Sequence, residues 1–126
     1  MKQSMGKKIL IAEDEEILST LLEKKLIEEG YQIFVAENGE KTMEILNKEK
    51  VDLLLLDIVM PKKSGFEVMK EMKKDSKLSK IPIIVISNSG QSVEINRVKE
   101  LGAKDWLIKT EFAPQEVVEK VKKQIG

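Results

Sequence analysis

Four apolar runs in this chain each end on a residue able to do chemistry. Ile9-Leu10-Ile11-Ala12 leads into Glu13 and Asp14, Leu53-Leu54-Leu55-Leu56 into Asp57, Ile83-Ile84-Val85-Ile86 into Ser87, and Trp106-Leu107-Ile108 into Lys109. Three carboxylates gathered within several ångströms repel one another unless protonated or neutralised. A divalent cation is the simplest remedy. The chain has no histidine and no cysteine, so only oxygen ligands remain, a donor set suited to a hard ion such as Mg2+. With such an ion held by Glu13 or Asp14, the carboxylate of Asp57 is a competent phosphoryl acceptor. The Ser87 hydroxyl can donate to one phosphoryl oxygen and the Lys109 ammonium can pair with another, together offsetting the charge that spreads over a transferred group.

What must position these residues is a sheet. The leucine run before Asp57 reads as a strand buried on both faces, the habit of parallel sheets covered by helices. Strand one, Ile9 to Ala12, precedes a helix with Ile17, Leu18, Leu21, Leu22 and Leu26 on one face, ended by Gly30. Tyr31 to Ala36 is strand two, and Asn38-Gly39 turns into a helix bearing Met43, Ile45 and Leu46. Strand three is Val51 to Leu56. Pro61 and Gly65 then lead into a helix with Phe66, Met69 and Met72 inward. Pro82 stands at the start of strand four, where a missing N–H is tolerated. Val93, Val98 and Leu101 mark helix four, stopped by Gly102. Trp106 to Ile108 is a short fifth strand. Val117, Val121 and Ile125 line the last helix, with Pro114 near its first turn.

Five strand–helix alternations imply an α/β, doubly wound (βα)5 fold. Its five-stranded parallel sheet is expected in the order 2-1-3-4-5, helices on both faces. The switch point falls between strands one and three. Ligands bind at the carboxyl-end rim there, where Glu13, Asp14 and Asp57 would meet. Residues 1–6 read as a flexible N-terminus and 7–126 as one domain.

Composition narrows the classes. The 22 basic and 22 acidic residues cancel, so no whole-chain field favours nucleic acid or an anionic membrane. Without cysteine or histidine there are no disulfides, thiolate metal sites or Ser-His-Asp arrangements. No apolar stretch approaches the ~20 residues of a membrane span. The expectation is a cytoplasmic protein that contacts neither membrane nor nucleic acid directly. Read singly, the site residues have local roles: Asp14 as a cap of helix one, Ser87 in the polar turn Ser87-Asn88-Ser89-Gly90, Lys109 as a solvated charge, Trp106 as core. Their common placement at strand ends argues for the joint reading.

Four segments carry a family resemblance: Ile11-Ala12-Glu13-Asp14-Glu15, Asp57-Ile58-Val59-Met60-Pro61 with Ser64-Gly65, Ser87, and Gly102-Ala103-Lys104-Asp105-Trp106-Leu107-Ile108-Lys109. In this order the chain resembles, over nearly its whole length, a receiver (response-regulator) domain of two-component signalling, of the single-domain chemotaxis type. The resemblance implies that Glu13, Asp14 and Asp57, with the backbone carbonyl of Val59, bind Mg2+. Asp57 would then take a phosphoryl group from a sensor histidine kinase or histidine phosphotransfer protein. Ser87 and Trp106 would be the switch pair, reshaping the face of helix four, strand five and helix five toward a downstream protein target. Such a chain is a phosphoacceptor signalling domain rather than an enzyme. Val59 and Ser89 lack acidic or amide groups to position water, which implies slow-to-moderate self-dephosphorylation. The sequence departs from the family pattern at Thr110, where proline usually follows the lysine, and at Asn88, where a small residue is usual. The stretch Thr110-Glu111-Phe112-Ala113-Pro114 is also one residue longer than the common form. A trans Lys109–Thr110 peptide is expected, since a cis bond before a non-proline costs roughly 3 kcal/mol. Two other readings stand beside this one: a receiver-like scaffold that binds without being phosphorylated, and a flavodoxin-like FMN protein of the same strand order. Glu13-Asp14-Glu15-Glu16 would repel a flavin phosphate.

Overall fold

The computed structural model describes residues 6–88 and 92–126, without the side chains of 92 and 93. Residues 1–5, Ser89 and the side chain of Val93 therefore lie outside the described residues. The elements are β1 (Lys8–Ala12), α1 (Glu16–Glu28), β2 (Gln32–Ala36), α2 (Gly39–Lys48), β3 (Leu53–Asp57), α3 (Gly65–Lys73), β4 (Ile83–Ser87), α4 (Ser92–Glu100), β5 (Asp105–Ile108) and α5 (Pro114–Ile125). A short 3₁₀ turn over Leu78–Lys80, not anticipated from the sequence, leads into β4. The strands are all parallel in the order β2-β1-β3-β4-β5. This is the expected doubly wound, flavodoxin-like arrangement.

Alternation along the central strands divides the interior into two cores. Leu10, Leu54, Leu56 and Val85 face α2, α3 and α4, where Leu46, Val68, Met69, Met72 and Val98 meet them. Ile9, Ile11, Leu53, Leu55, Ile84, Ile86 and Leu107 face the other way, onto Leu22 and Leu26 of α1 and Val117, Val118 and Val121 of α5. Successive side chains of a strand point to opposite faces, so an unbroken apolar run serves both cores at once. Gly30 ends α1 at φ +98°, a left-handed conformation that a side chain would strain. Asn38 acts as the N-cap of α2, its side chain accepting from the Lys41 N–H at 2.8 Å.

One expectation is corrected. The apolar residues of α1 do not share one buried face: Leu22 and Leu26 are buried and Leu18 packs beside them, but Ile17 is 88% and Leu21 45% exposed. Leu18, Leu22 and Leu26 recur every fourth residue and span only about 80° of the helix. Measured from Leu18, the near edge of that stripe, Ile17 stands about 100° and Leu21 about 60° further round, beyond the arc that sheet and α5 can cover.

Candidate functional site

The chain leaves β1 and β3 at neighbouring points of the sheet, yet α1 and α3 pack on opposite faces. A crevice opens between the two strand ends for that reason. Glu13 follows β1 and is 1% exposed, Asp57 closes β3 at 0%, and Asp14 is exposed at the mouth. One carboxylate oxygen from each lies within 4.8 Å of the other two. The local role considered for Asp14 is not realised, because the N-cap of α1 is Glu15 and it makes no side-chain cap.

Lys109 enters from β5. Its backbone N–H donates to the Ser87 carbonyl at 2.7 Å, pinning the start of its loop to the end of β4. Its ammonium donates to Asp57 Oδ2 at 3.1 Å and Glu13 Oε2 at 3.2 Å, and pairs with Glu15 Oε1 at 2.9 Å. The second oxygen of Asp57, Oδ1, accepts from the Val59 N–H at 3.2 Å. Glu13 Oε2 also accepts from the Glu15 N–H at 2.9 Å. Glu13 Oε1 is buried and has no partner among the described residues.

Electrostatics follow from this crowding. Burial, reinforced by the neighbouring Asp57 charge, pushes the Glu13 carboxyl up to about 7 against the pull of the Glu15 N–H and Lys109. Burial likewise raises Asp57, with Lys109 and the Val59 N–H opposing. Burial works against the Lys109 ammonium, but its bonds to Glu15 and Asp57 and the charges around it outweigh that and raise its pKa. Glu13, Glu15 and Asp57 thus share the ammonium of Lys109, and Asp14 adds a fourth carboxylate beside Glu13 and Asp57. The oxygen-only donors, the orphaned Glu13 Oε1 and the surplus negative charge all fit a hard divalent cation.

The remaining candidates surround this centre. Val59 exposes its side chain in the loop after β3, where Lys62 holds a φ of +68°. Ser87 is fully buried at the end of β4 and its hydroxyl donates to Glu94 Oε1 of α4 at 2.5 Å. Trp106 is half-buried on β5, opposite Val85, with the Lys99 ammonium 4.9 Å from its ring centroid. Among the described residues every peptide is trans, Lys109–Thr110 included, as expected. After Lys109 the chain makes a turn in which the N–H groups of Glu111 and Phe112 both donate to the Ile108 carbonyl. Phe112 packs onto the α1/α5 core.

Two residues escaped the sequence reading. Glu15, named from the sequence only as part of the acidic segment after strand one, is a direct partner of Lys109; its place beside the acidic pair was the available signal. Glu94 had none, being seven positions from Ser87 and brought to it only by the start of α4. A cleft of about 560 Å³ lies at the opposite end of the sheet, lined by Leu46, Val51, Leu78 and Ile81 with several lysines. Among the described residues that line it, Glu49 is the one carboxylate and none carries a hydroxyl.

A family model described as response regulator receiver domain matches residues 9–122. The chain is 36% identical over 118 residues to the alkaline phosphatase synthesis transcriptional regulatory protein PhoP of Bacillus subtilis, covering 94% of this chain and 48% of that protein. It is also 36% identical over 115 residues to the transcriptional regulatory protein CpxR of Klebsiella pneumoniae, covering 91% and 47%. The chain spans about half the length of the curated relatives it matches. Among solved structures it is similar to the response regulator TrrA of Thermotoga maritima in complex with Mg2+ and BeF, with a TM-score of 0.80 and 37% identity over 94% of this chain and 98% of that one. The chemotaxis protein CheY4 of Vibrio cholerae shares the fold, with a TM-score of 0.87 and 24% identity, covering 94% and 98%.

Proposed function

The chain belongs to the response regulator receiver domain family, and from that premise we propose that Asp57 is the phosphoacceptor of a signalling switch. The observation that carries this reading is a fully buried carboxylate at the switch point of the sheet, held between an ammonium and an acidic pair that would otherwise repel it. The donor class is a phosphohistidine on a sensor histidine kinase or a histidine phosphotransfer protein. A carboxylate oxygen of Asp57 attacks phosphorus, the N–P bond breaks, and its electron pair leaves on the imidazole nitrogen.

Glu13, Asp14 and Asp57, with the backbone carbonyl of Val59, would hold Mg2+, whose charge offsets that of the arriving phosphoryl group. Lys109, now shared among three carboxylates, pairs with a phosphoryl oxygen. Ser87 donates its hydroxyl proton to another, and Trp106 responds on β5. The face built from α4, β5 and α5 then meets a downstream protein. We place this chemistry in the cytoplasm, where a kinase of this class presents its phosphohistidine. Among the described residues no helix is long and apolar enough to cross a membrane.

Intact mass after incubation with acetyl phosphate and Mg2+ tests the assignment. The expected result is one added phosphoryl group, absent without metal and absent in Asp57→Asn. Undiminished uptake by Asp57→Asn would move the acceptor elsewhere. No uptake, even from a phosphohistidine donor, would favour a scaffold that binds its partner without phosphorylation.

A further inference from the structure

We propose that Glu94 is a positioning residue that holds the Ser87 hydroxyl away from the acceptor site, so that phosphoryl binding at Asp57 must first break a bond anchored on α4. The proposal rests on the phosphoacceptor reading and deepens it. A serine hydroxyl has one proton to donate. In this structure that proton goes to Glu94 Oε1 at 2.5 Å, the short distance of a charge-assisted bond. Ser87 cannot evade the choice by moving its backbone. It lies fully buried within β4, and its carbonyl is tied to the Lys109 N–H at 2.7 Å. Rotation about Cα–Cβ is the remaining freedom, and it trades one anionic acceptor for another.

Glu94 lies in the first turn of α4 and is half-buried. When Ser87 turns toward a phosphoryl oxygen, the carboxylate loses its donor in a site only partly open to water, which is unfavourable. Rearrangement of the start of α4 relieves that cost. The Ser87–Glu94 bond therefore links occupancy of the Asp57 site to the position of α4 and raises the threshold for switching. A local role alone, an acidic side chain complementing the N-terminal dipole of α4, would not depend on Ser87.

Dependence on Ser87 is what the test reads. Beryllofluoride, a tetrahedral stand-in for a carboxylate-bound phosphoryl group, is titrated by calorimetry in saturating Mg2+ into wild type, Glu94→Ala, Glu94→Gln, Ser87→Ala and the Ser87→Ala/Glu94→Ala double variant. Thermal melts confirm that each is folded. Glu94→Ala is expected to bind about tenfold more tightly than wild type, the scale of one charge-assisted hydrogen bond. Glu94→Gln should fall between, because an amide oxygen accepts more weakly than a carboxylate. In the Ser87→Ala background, Glu94→Ala should change nothing. Equal affinity of wild type and Glu94→Ala overturns the proposal, as does the same tightening with and without Ser87. If wild type takes up no beryllofluoride at all, the phosphoacceptor reading itself fails and the proposal falls with it, an outcome distinct from the other two.

Discussion

Lys109 holds together a group of charges that would not otherwise stay folded as close neighbours. Its ammonium is within hydrogen-bond reach of Glu13, Glu15 and Asp57, two of which are buried. Removing one partner of a buried charge network leaves the others uncompensated, and that costs more than the intact network contributes. Lys109→Ala should therefore lower the stability of the metal-free chain by roughly 1–3 kcal/mol near pH 7.5, read as a shift in the urea midpoint. Added Mg2+ should return much of the loss by supplying the missing positive charge. An unchanged midpoint in the absence of metal would mean that the carboxylates are already relieved by protonation or water.

At the scale of elements, the loop from β3 to α3 decides where Asp57 points. The Gly65 N–H donates to the Ile58 carbonyl at 2.8 Å, folding the loop back on the acceptor's own backbone. A Cβ at Gly65 would stand 2.5 Å from the Asp57 carbonyl oxygen and 2.8 Å from Ile58 Cα, both backbone atoms that cannot swing aside. Immediately before it, Ser64 and Glu67 form a reciprocal capping box that starts α3. These neighbours separate helix stability from site geometry. Ser64→Ala should cost about 1 kcal/mol and leave Mg2+-dependent phosphoryl uptake close to normal. Gly65→Ala should cost about 1–3 kcal/mol and also slow uptake several-fold, because the loop can clear the new methyl only by displacing Asp57. Matching uptake rates for the two variants would show that the close approach does not matter to the chemistry.

At the scale of the molecule, the acidic rim is a cost carried by the two cores. Glu13 is raised from an ordinary 4.5 to about 7, so between those values the native metal-free chain holds a proton that the unfolded chain has released. The sign follows: this group's contribution is fully present below its unfolded pKa and is lost as pH climbs through about 7. Neutralising the carboxylates with Mg2+ removes that penalty, and the proton must leave for the ion to be held. The rise in melting temperature on adding Mg2+ should accordingly be larger at pH 8 than at pH 5.5, and a shift independent of pH would contradict this assignment. The reserve that tolerates the rim is apolar. Leu54 is fully buried in the core under α2, α3 and α4, and Leu54→Ala should cost about 2–5 kcal/mol, measured by chemical denaturation, without moving a single group at the rim.

How much of this was legible beforehand differs by kind of interaction. Strand runs and their alternation with helices follow from apolar periodicity, a local property of the chain, and the strand order from the topology rules for doubly wound sheets. Periodicity therefore also placed Glu13, Asp14, Asp57, Ser87 and Lys109 at strand ends. What periodicity could not decide is which part of an apolar face finds a partner. Ile17 and Leu21 read like Leu22 and Leu26, and only the reach of the sheet and α5 left them exposed. Nor could it decide which oxygen each donor chooses. The bond from Ser87 to Glu94, the share of Lys109 taken by Glu15 and the orphaned Glu13 Oε1 depend on distances across separate elements, set to within an ångström by packing. The sequence by itself determined the sheet and the inventory of charges at its rim, because both are written in the order of apolar and polar residues. Only the tertiary structure decided how those charges pair, because hydrogen bonds select by distance and direction, and neither is encoded by spacing along the chain.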